Sequence, residues 1–159
     1  MQDSIFRIMN AIKCGFYKAL HPFLWGHGIK LHGIPRIEVS HNVTFGKNIA
    51  INENVYIQGH GKVKIEDNVV LSYGSTILTR NLKYGSKGQG KTVDHYERNV
   101  EIGHDTWIAA NVTILPGVIV PHNCIVAAGS VVTKSLPEPY ACYAGNPAVY
   151  KKSINNDTN

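Results

Sequence analysis

From residue 102 onward an aliphatic side chain falls on every sixth position: Ile102, Ile108, Ile114, Val120, Val126 and Val132. The same step runs earlier through Ile37, Val43, Ile49 and Val55, and again through Ile65, Leu71 and Ile77. It slips near residues 59–64 and breaks from Arg80 to Asn99. A helix stripe recurs at three and four residues and a strand face at two, so a step of six fits neither alone. It predicts a triangular coil in which each side is a short strand with one aliphatic residue pointing inward. Three sides complete a turn, and stacked turns pair their backbones while burying an aliphatic column. Small or thin residues stand four places after the aliphatic ones, at Thr106, Val112, Val118, Cys124 and Ser130. Pairs such as Asp67-Asn68, Pro116-Gly117 and His122-Asn123 suit the tight corners between sides. This regularity argues against a β-sandwich with coincidental spacing.

Ahead of the repeat, residues 4–20 read as an amphipathic helix, with Ile5, Ile8, Met9, Ile12, Phe16, Ala19 and Leu20 on one side. Asp3 or Ser4 is the expected N-cap, and His21-Pro22 ends the pattern. Two readings of this segment stay open. The stripe packs on the coil or a neighbouring subunit, or residues 1–24, which are basic and rich in aromatics, lie on an anionic membrane surface. The tail after Lys152 is expected to fray.

Composition narrows the class. The 159 residues are 43% hydrophobic and 17% charged, which describes a folded domain rather than a disordered polymer. No apolar run approaches the roughly 18 residues a membrane span needs. A cleaved signal peptide is not expected, because the N-terminus lacks the basic, apolar, small-residue order. Residues 1–36 hold five Lys and Arg against one acid, so they carry +4 of a formal +5. The remainder is nearly neutral, and no nucleic-acid partner is expected. Three cysteines (Cys14, Cys124, Cys142) without C-x-x-C spacing disfavour both a disulfide framework and a zinc knuckle, and favour a reducing cytoplasm. The histidines show no ligand spacing with carboxylates, so no metal is expected.

The stretch IGHDTWIAANVTILPGV from Ile102, with AAGSVVTK from Ala127 and AGNPA from Ala144, closely resembles the hexapeptide-repeat acyltransferases. The resemblance covers about residues 37–152, and the short chain with its N-terminal helix is most similar to bacterial capsule and O-antigen sugar O-acetyltransferases. It implies an all-β solenoid, a left-handed parallel β-helix, in a homotrimer that takes acetyl groups from acetyl-CoA. The implied organisation is a helix and lead-in over 1–36, the β-helix over 37–136 with an excursion loop at 80–99, and a C-terminal extension over 137–159. The cofactor groove would lie between subunits along the last coils. There Ala110 and Ala128 would let the pantetheine arm approach the backbone, Thr133 and Lys134 would meet the pantetheine and phosphate end, Lys151 would face the nucleotide phosphates, and Trp107 would lie near the thioester.

Transfer from a thioester to an alcohol needs a base for the hydroxyl proton, and histidine suits neutral pH. Many relatives carry it in a segment like Ile-Leu-Thr-His-Asp before the excursion loop. Here the segment reads Ile77-Leu78-Thr79-Arg80-Asn81, and arginine stays protonated. The loop supplies a substitute: His95 as base, oriented by Asp94 or Glu97, with Arg80 contacting an anionic acceptor or phosphate and Asn81 also binding substrate. Glycines 85, 88 and 90 suggest a mobile loop. With Lys91-Thr92 they superficially suggest a phosphate loop, but the strand-to-helix context is missing. His104 and His122 occupy polar corner slots, and Cys124 an inward one. The expected function is acetyl transfer to a sugar hydroxyl in surface polysaccharide biosynthesis, in the cytoplasm or at the inner membrane surface. A serine acetyltransferase, an amino-sugar N-acetyltransferase and a weakly catalytic trimeric scaffold are the alternatives.

Overall fold

The computed structural model describes residues 2–25, 28–83 and 94–154, with side chains from Ser4 onward. Helix α1 (Gln2–Leu20) leads into a 3-10 turn at Pro22–Leu24. It begins ahead of the expected caps Asp3 and Ser4, and it stops before Pro22, which cannot continue a helix from its interior. The rest of the described chain is a β-solenoid of short parallel strands on three faces, the triangular coil that the period of six predicts and the left-handed parallel β-helix that the resemblance implies.

The first face stacks β1 (Lys30–Leu31), β4 (Ala50–Ile51), β7 (Val70–Leu71), β12 (Trp107–Ile108), β15 (Cys124–Val126) and β17 (Ala141–Ala144), with β18 (Val149–Ser153) folded back antiparallel at the edge. The second face stacks β2 (Arg36–Glu38), β5 (Tyr56–Gln58), β8 (Thr76–Ile77), β13 (Thr113–Ile114) and β16 (Val131–Val132). The third holds β3 (Val43–Phe45), β6 (Val63–Ile65), β11 (Val100–Ile102) and β14 (Ile119–Val120). A separate ribbon pairs β9 (Arg80–Leu82) with β10 (His95–Glu97) antiparallel. Sheet pairing therefore starts at Lys30, ahead of residue 37, and continues past residue 136 through β17.

Each side buries two side chains rather than the one expected. Thr106 lies inside with Ile108, Val112 with Ile114, Val118 with Val120, Cys124 with Val126, and Ser130 with Val132. Register stacks them into columns, such as Ile51, Leu71, Ile108, Val126 and Tyr143 on the first face. Each fully buried aliphatic contributes about 1.5–3 kcal/mol, and the columns hold the coil together. Most bends carry Asn, Asp or Gly because φ is positive there: Asn48, Asn68, Asp105 and Asn123 stand at one corner, with Tyr140 in the same place before β17, and Asn54, Gly74, Asn111 and Gly129 at another.

The third corner, between the second and third faces, explains the irregular steps. Ile57 to Ile65 is eight residues, and the loop from Thr79 to Asn99 leaves from the same corner one turn later. A third slip hides in the sequence between Ile37 and Val43. Ile37 stacks on Ile57 but Val43 stacks on Val63, so the apparent step of six jumps between the two inward slots. At the C-terminus the chain does not fray directly after Lys152 as expected: Ser153 belongs to β18 and the Ile154 N–H donates to the Tyr140 carbonyl at 2.8 Å. Residues 155–159 lie outside the described residues.

Candidate active site

The ribbon is rooted in the coil by hydrogen bonds of the Thr79 hydroxyl and the Gln58 side chain. Thr79 is fully buried; its hydroxyl donates to the Gln58 carbonyl and accepts the Gly61 N–H at 3.0 Å. The Arg80 N–H donates to Gln58 Oε1 at 3.0 Å, and the Arg98 N–H closes the base on the Thr79 carbonyl at 2.8 Å. The guanidinium of Arg98 covers the Tyr96 ring at 5.4 Å.

Antiparallel register sets His95 opposite Leu82 and Glu97 opposite Arg80, so these four share one face of the ribbon. Asn81, Tyr96, Lys83 and Asp94 take the other. His95 is exposed, and among the described residues no carboxylate hydrogen-bonds its ring. Asp94, one of the two orienting groups the sequence suggested, accepts a 2.8 Å bond from Lys83 Nζ, which holds its carboxyl below the usual carboxylate range. Neighbours along an extended strand point to opposite faces, so Asp94 is turned away from the His95 ring. Glu97 stays on the histidine face, its Oε1 3.9 Å from Arg80 Nε. That Nε is buried without a hydrogen-bond partner among the described residues, and Arg80 is half-buried as a whole. The glycines at 85, 88 and 90, with Lys91 and Thr92, lie outside the described residues.

The residues expected to hold the donor are split. Trp107 projects from the outer surface of the first face with its indole N–H donating to Ser72 Oγ at 2.8 Å. Below it in register come Ile125, Cys142 and Lys152; the exposed Lys151 stands next to Lys152 at a bulge in the last strand. Ala110 and Ala128 stack at the adjoining corner, where the Gly129 N–H donates to the Ala110 carbonyl at 2.9 Å. These small side chains leave the main chain open to an extended amide-bearing molecule, and the built strip fits a pantetheine arm. Thr133 and Lys134, both exposed, instead follow β16 at the far edge of the second face, two turns below the ribbon. One chain therefore does not bring His95 to the Trp107 strip; the second face lies between them.

Sequence reasoning missed Ser72, which fixes the indole, and Lys83, which claims Asp94. The first was hidden because a partner one turn away is displaced by the excursion loop. The second needed the register of the ribbon. Burial pushes the thiols of Cys14 and Cys124 up, which makes them poor nucleophiles. His104 and His122 stack in parallel at 4.7 Å on a corner, and His104 Nδ1 meets Asp105 Oδ2 at 2.6 Å. Among the described residues no three His, Cys, Asp or Glu side chains gather as metal ligands would.

Residues 99–134 match the family described as bacterial transferase hexapeptide (six repeats). A Staphylococcus aureus protein, named provisionally as an acetyltransferase, is 36% identical over 120 residues, covering 73% of this chain and 57% of its own length. The chain thus spans little more than half the length of the first curated relatives it matches. A maltose O-acetyltransferase from Clostridium difficile superposes with a TM-score of 0.75 at 30% identity, covering 80% of this chain and 67% of that one. A galactoside acetyltransferase solved with coenzyme A superposes with a TM-score of 0.72 at 28% identity, covering 80% of this chain and 65% of that one.

Proposed function

The chain belongs to the hexapeptide-repeat acyltransferases, and from that premise we propose that it transfers the acetyl group of acetyl-CoA to a hydroxyl of a sugar, in the assembly of a surface polysaccharide. The observation that carries this reading is the exposed His95 on a ribbon pinned to the coil, with its ring claimed by no described carboxylate. The coenzyme A bound to a galactoside acetyltransferase of the same fold supports the donor.

In this reading His95 accepts the acceptor's hydroxyl proton as the oxygen attacks the thioester carbonyl carbon. The tetrahedral intermediate collapses with loss of the coenzyme A thiolate, which takes the proton back from the imidazolium. Main-chain N–H groups hold the oxyanion. Glu97 stabilises the imidazolium from the same ribbon face. Arg80, whose buried Nε has no hydrogen-bond partner among the described residues, meets an anionic group on the acceptor, and Asn81 contacts the acceptor from the opposite face of the ribbon. Because His95 and the Trp107 strip stand on different corners, the complete site takes the ribbon of one protomer and the strip of another. A homotrimer supplies that arrangement.

Calorimetric titration with acetyl-CoA, followed by transfer assays on galactoside and maltose acceptors, tests the proposal. Wild type should bind saturably, Lys134→Glu should weaken binding roughly tenfold through loss of a phosphate contact, and His95→Ala should bind but not transfer. Absence of binding at millimolar donor would overturn it. The presence of Arg80 where relatives carry histidine favours a second reading, a trimeric scaffold, and that result would select it.

A further inference from the structure

Helix α1 is attached to the solenoid by its polar side. Asn10 Nδ2 donates to the His32 carbonyl at 2.9 Å, Lys18 Nζ donates to the Ile29 carbonyl, Cys14 is buried, and Tyr17 packs on the core. Leu24 and Phe23 then close the end of the aliphatic column, the Phe23 ring lying 6.4 Å from that of Phe45. The helix is therefore part of the solenoid's N-terminal cap. A cap ordinarily turns a polar face to water. This one does the reverse: Ile5, Ile8, Met9, Ile12, Phe16 and Leu20 point away from the body, each between 52% and 68% exposed.

We propose that this stripe is a docking surface for an anionic lipid bilayer, with α1 lying in the plane of the headgroups. At about 1.5 Å per residue, the apolar strip from Ile5 to Leu20 is about 22 Å long, too short and too polar on its other side to span. No described helix is long and apolar enough to cross a membrane. An apolar strip of this extent on a soluble surface marks an interaction site.

Charge decides between a bilayer and a second copy of the chain. The helix carries Arg7, Lys13 and Lys18 against the single acid Asp3, and residues 1–36 carry +4 of the chain's +5. Lys13 stands four residues after Met9 and three before Phe16, beside the stripe, where its ammonium reaches headgroup phosphates as the aliphatic side chains sink. Two such helices facing each other would bring their Lys13 ammonium groups together, whereas an anionic leaflet gains from Lys13 beside the stripe and from the basic balance around it; Lys18 is held at the Ile29 carbonyl on the coil side. The exposed Trp25, whose indole N–H donates to the Lys18 carbonyl at 2.7 Å, adds an aromatic ring beside the helix end.

The test is co-sedimentation of the full chain with phosphatidylcholine vesicles, with and without phosphatidylglycerol. Wild type should sediment with the anionic vesicles and be released by salt. Ile12→Glu should lower the partition by roughly tenfold or more, since it removes one buried aliphatic side chain, and Ile12→Leu should leave it unchanged. Ile12 is solvent-exposed, so both variants should keep the wild-type melting temperature and acetyl transfer in solution. Equal partition of wild type and Ile12→Glu would overturn the proposal. So would failure of wild type to sediment; if Ile12→Glu then lowered the mass by light scattering, the stripe would belong to a subunit interface.

Discussion

Asp94 accepts a 2.8 Å hydrogen bond from Lys83, on the ribbon face opposite the one that carries His95. The carboxylate next to the histidine in sequence is thus not its partner in space. Three variants should separate accordingly. His95→Ala should lower the turnover number by about a hundredfold or more, the usual contribution of a general base, with donor binding retained. Glu97→Gln should lower it by about tenfold, the equivalent of about 1.4 kcal/mol of lost imidazolium stabilisation. Asp94→Asn should stay within about twofold of wild type, as an exposed ion pair contributes little. Steady-state assays against one acceptor decide; a large loss in Asp94→Asn would return the orienting role to Asp94.

Glu66 gives the pH dependence of stability a definite sign. It accepts from Lys64 Nζ at 2.7 Å and from the His104 N–H at 3.2 Å, and these bonds hold its carboxyl below the usual range. A depressed carboxyl stabilises the fold above its unfolded pKa of about 4.3, and the contribution is lost as pH falls through the lower folded value. Glu66→Gln should melt below wild type near neutral pH, with the gap closing in acid. A gap that persists in acid would mean that packing, not charge, is the cause.

Ser75 is fully buried, and its Oγ has no hydrogen-bond partner among the described residues. It sits in the inward column after Val55 and before Val112, among aliphatic side chains. Leaving a hydroxyl unsatisfied in such a place costs about 1–3 kcal/mol. Ser75→Ala should therefore be neutral or raise stability by up to about 1 kcal/mol after the loss of packing. Urea unfolding at constant slope measures it, and a clear destabilisation would count against the orphaned hydroxyl.

Gly103 lies where successive turns touch. A Cβ there would come within 2.4 Å of the His122 nitrogen and 2.7 Å of the Pro121 carbonyl carbon, both main-chain atoms that cannot swing aside. Gly103→Ala should lower stability by about 1–3 kcal/mol, the range for overpacking. A melting temperature equal to wild type would show that the corner can spread.

The legibility of the chain follows the range of the forces involved. Ile102 through Val132 announced the coil because each corner resets the chain within six residues, and every inward slot meets the same neighbours one turn away. Ile37 and Val43 misled because the two inward slots are both aliphatic, so an insertion of two residues leaves no mark in the pattern. The candidate site was legible as residue types: an imidazole, a carboxylate, an indole and small corner residues are what this chemistry uses.

The sequence by itself determined the solenoid, its corners and the amphipathic helix, since these depend on spacing and on which residues tolerate a positive φ. Only the tertiary structure decided that Lys83 takes Asp94, that Glu97 stays beside His95, and that Ser72 holds Trp107. It also decided that α1 meets the coil with Asn10 and Lys18 and leaves Ile12 and Phe16 outside. A hydrophobic pattern states that a face must be covered; what covers it depends on contacts between segments distant in sequence, and those exist only once the chain has folded.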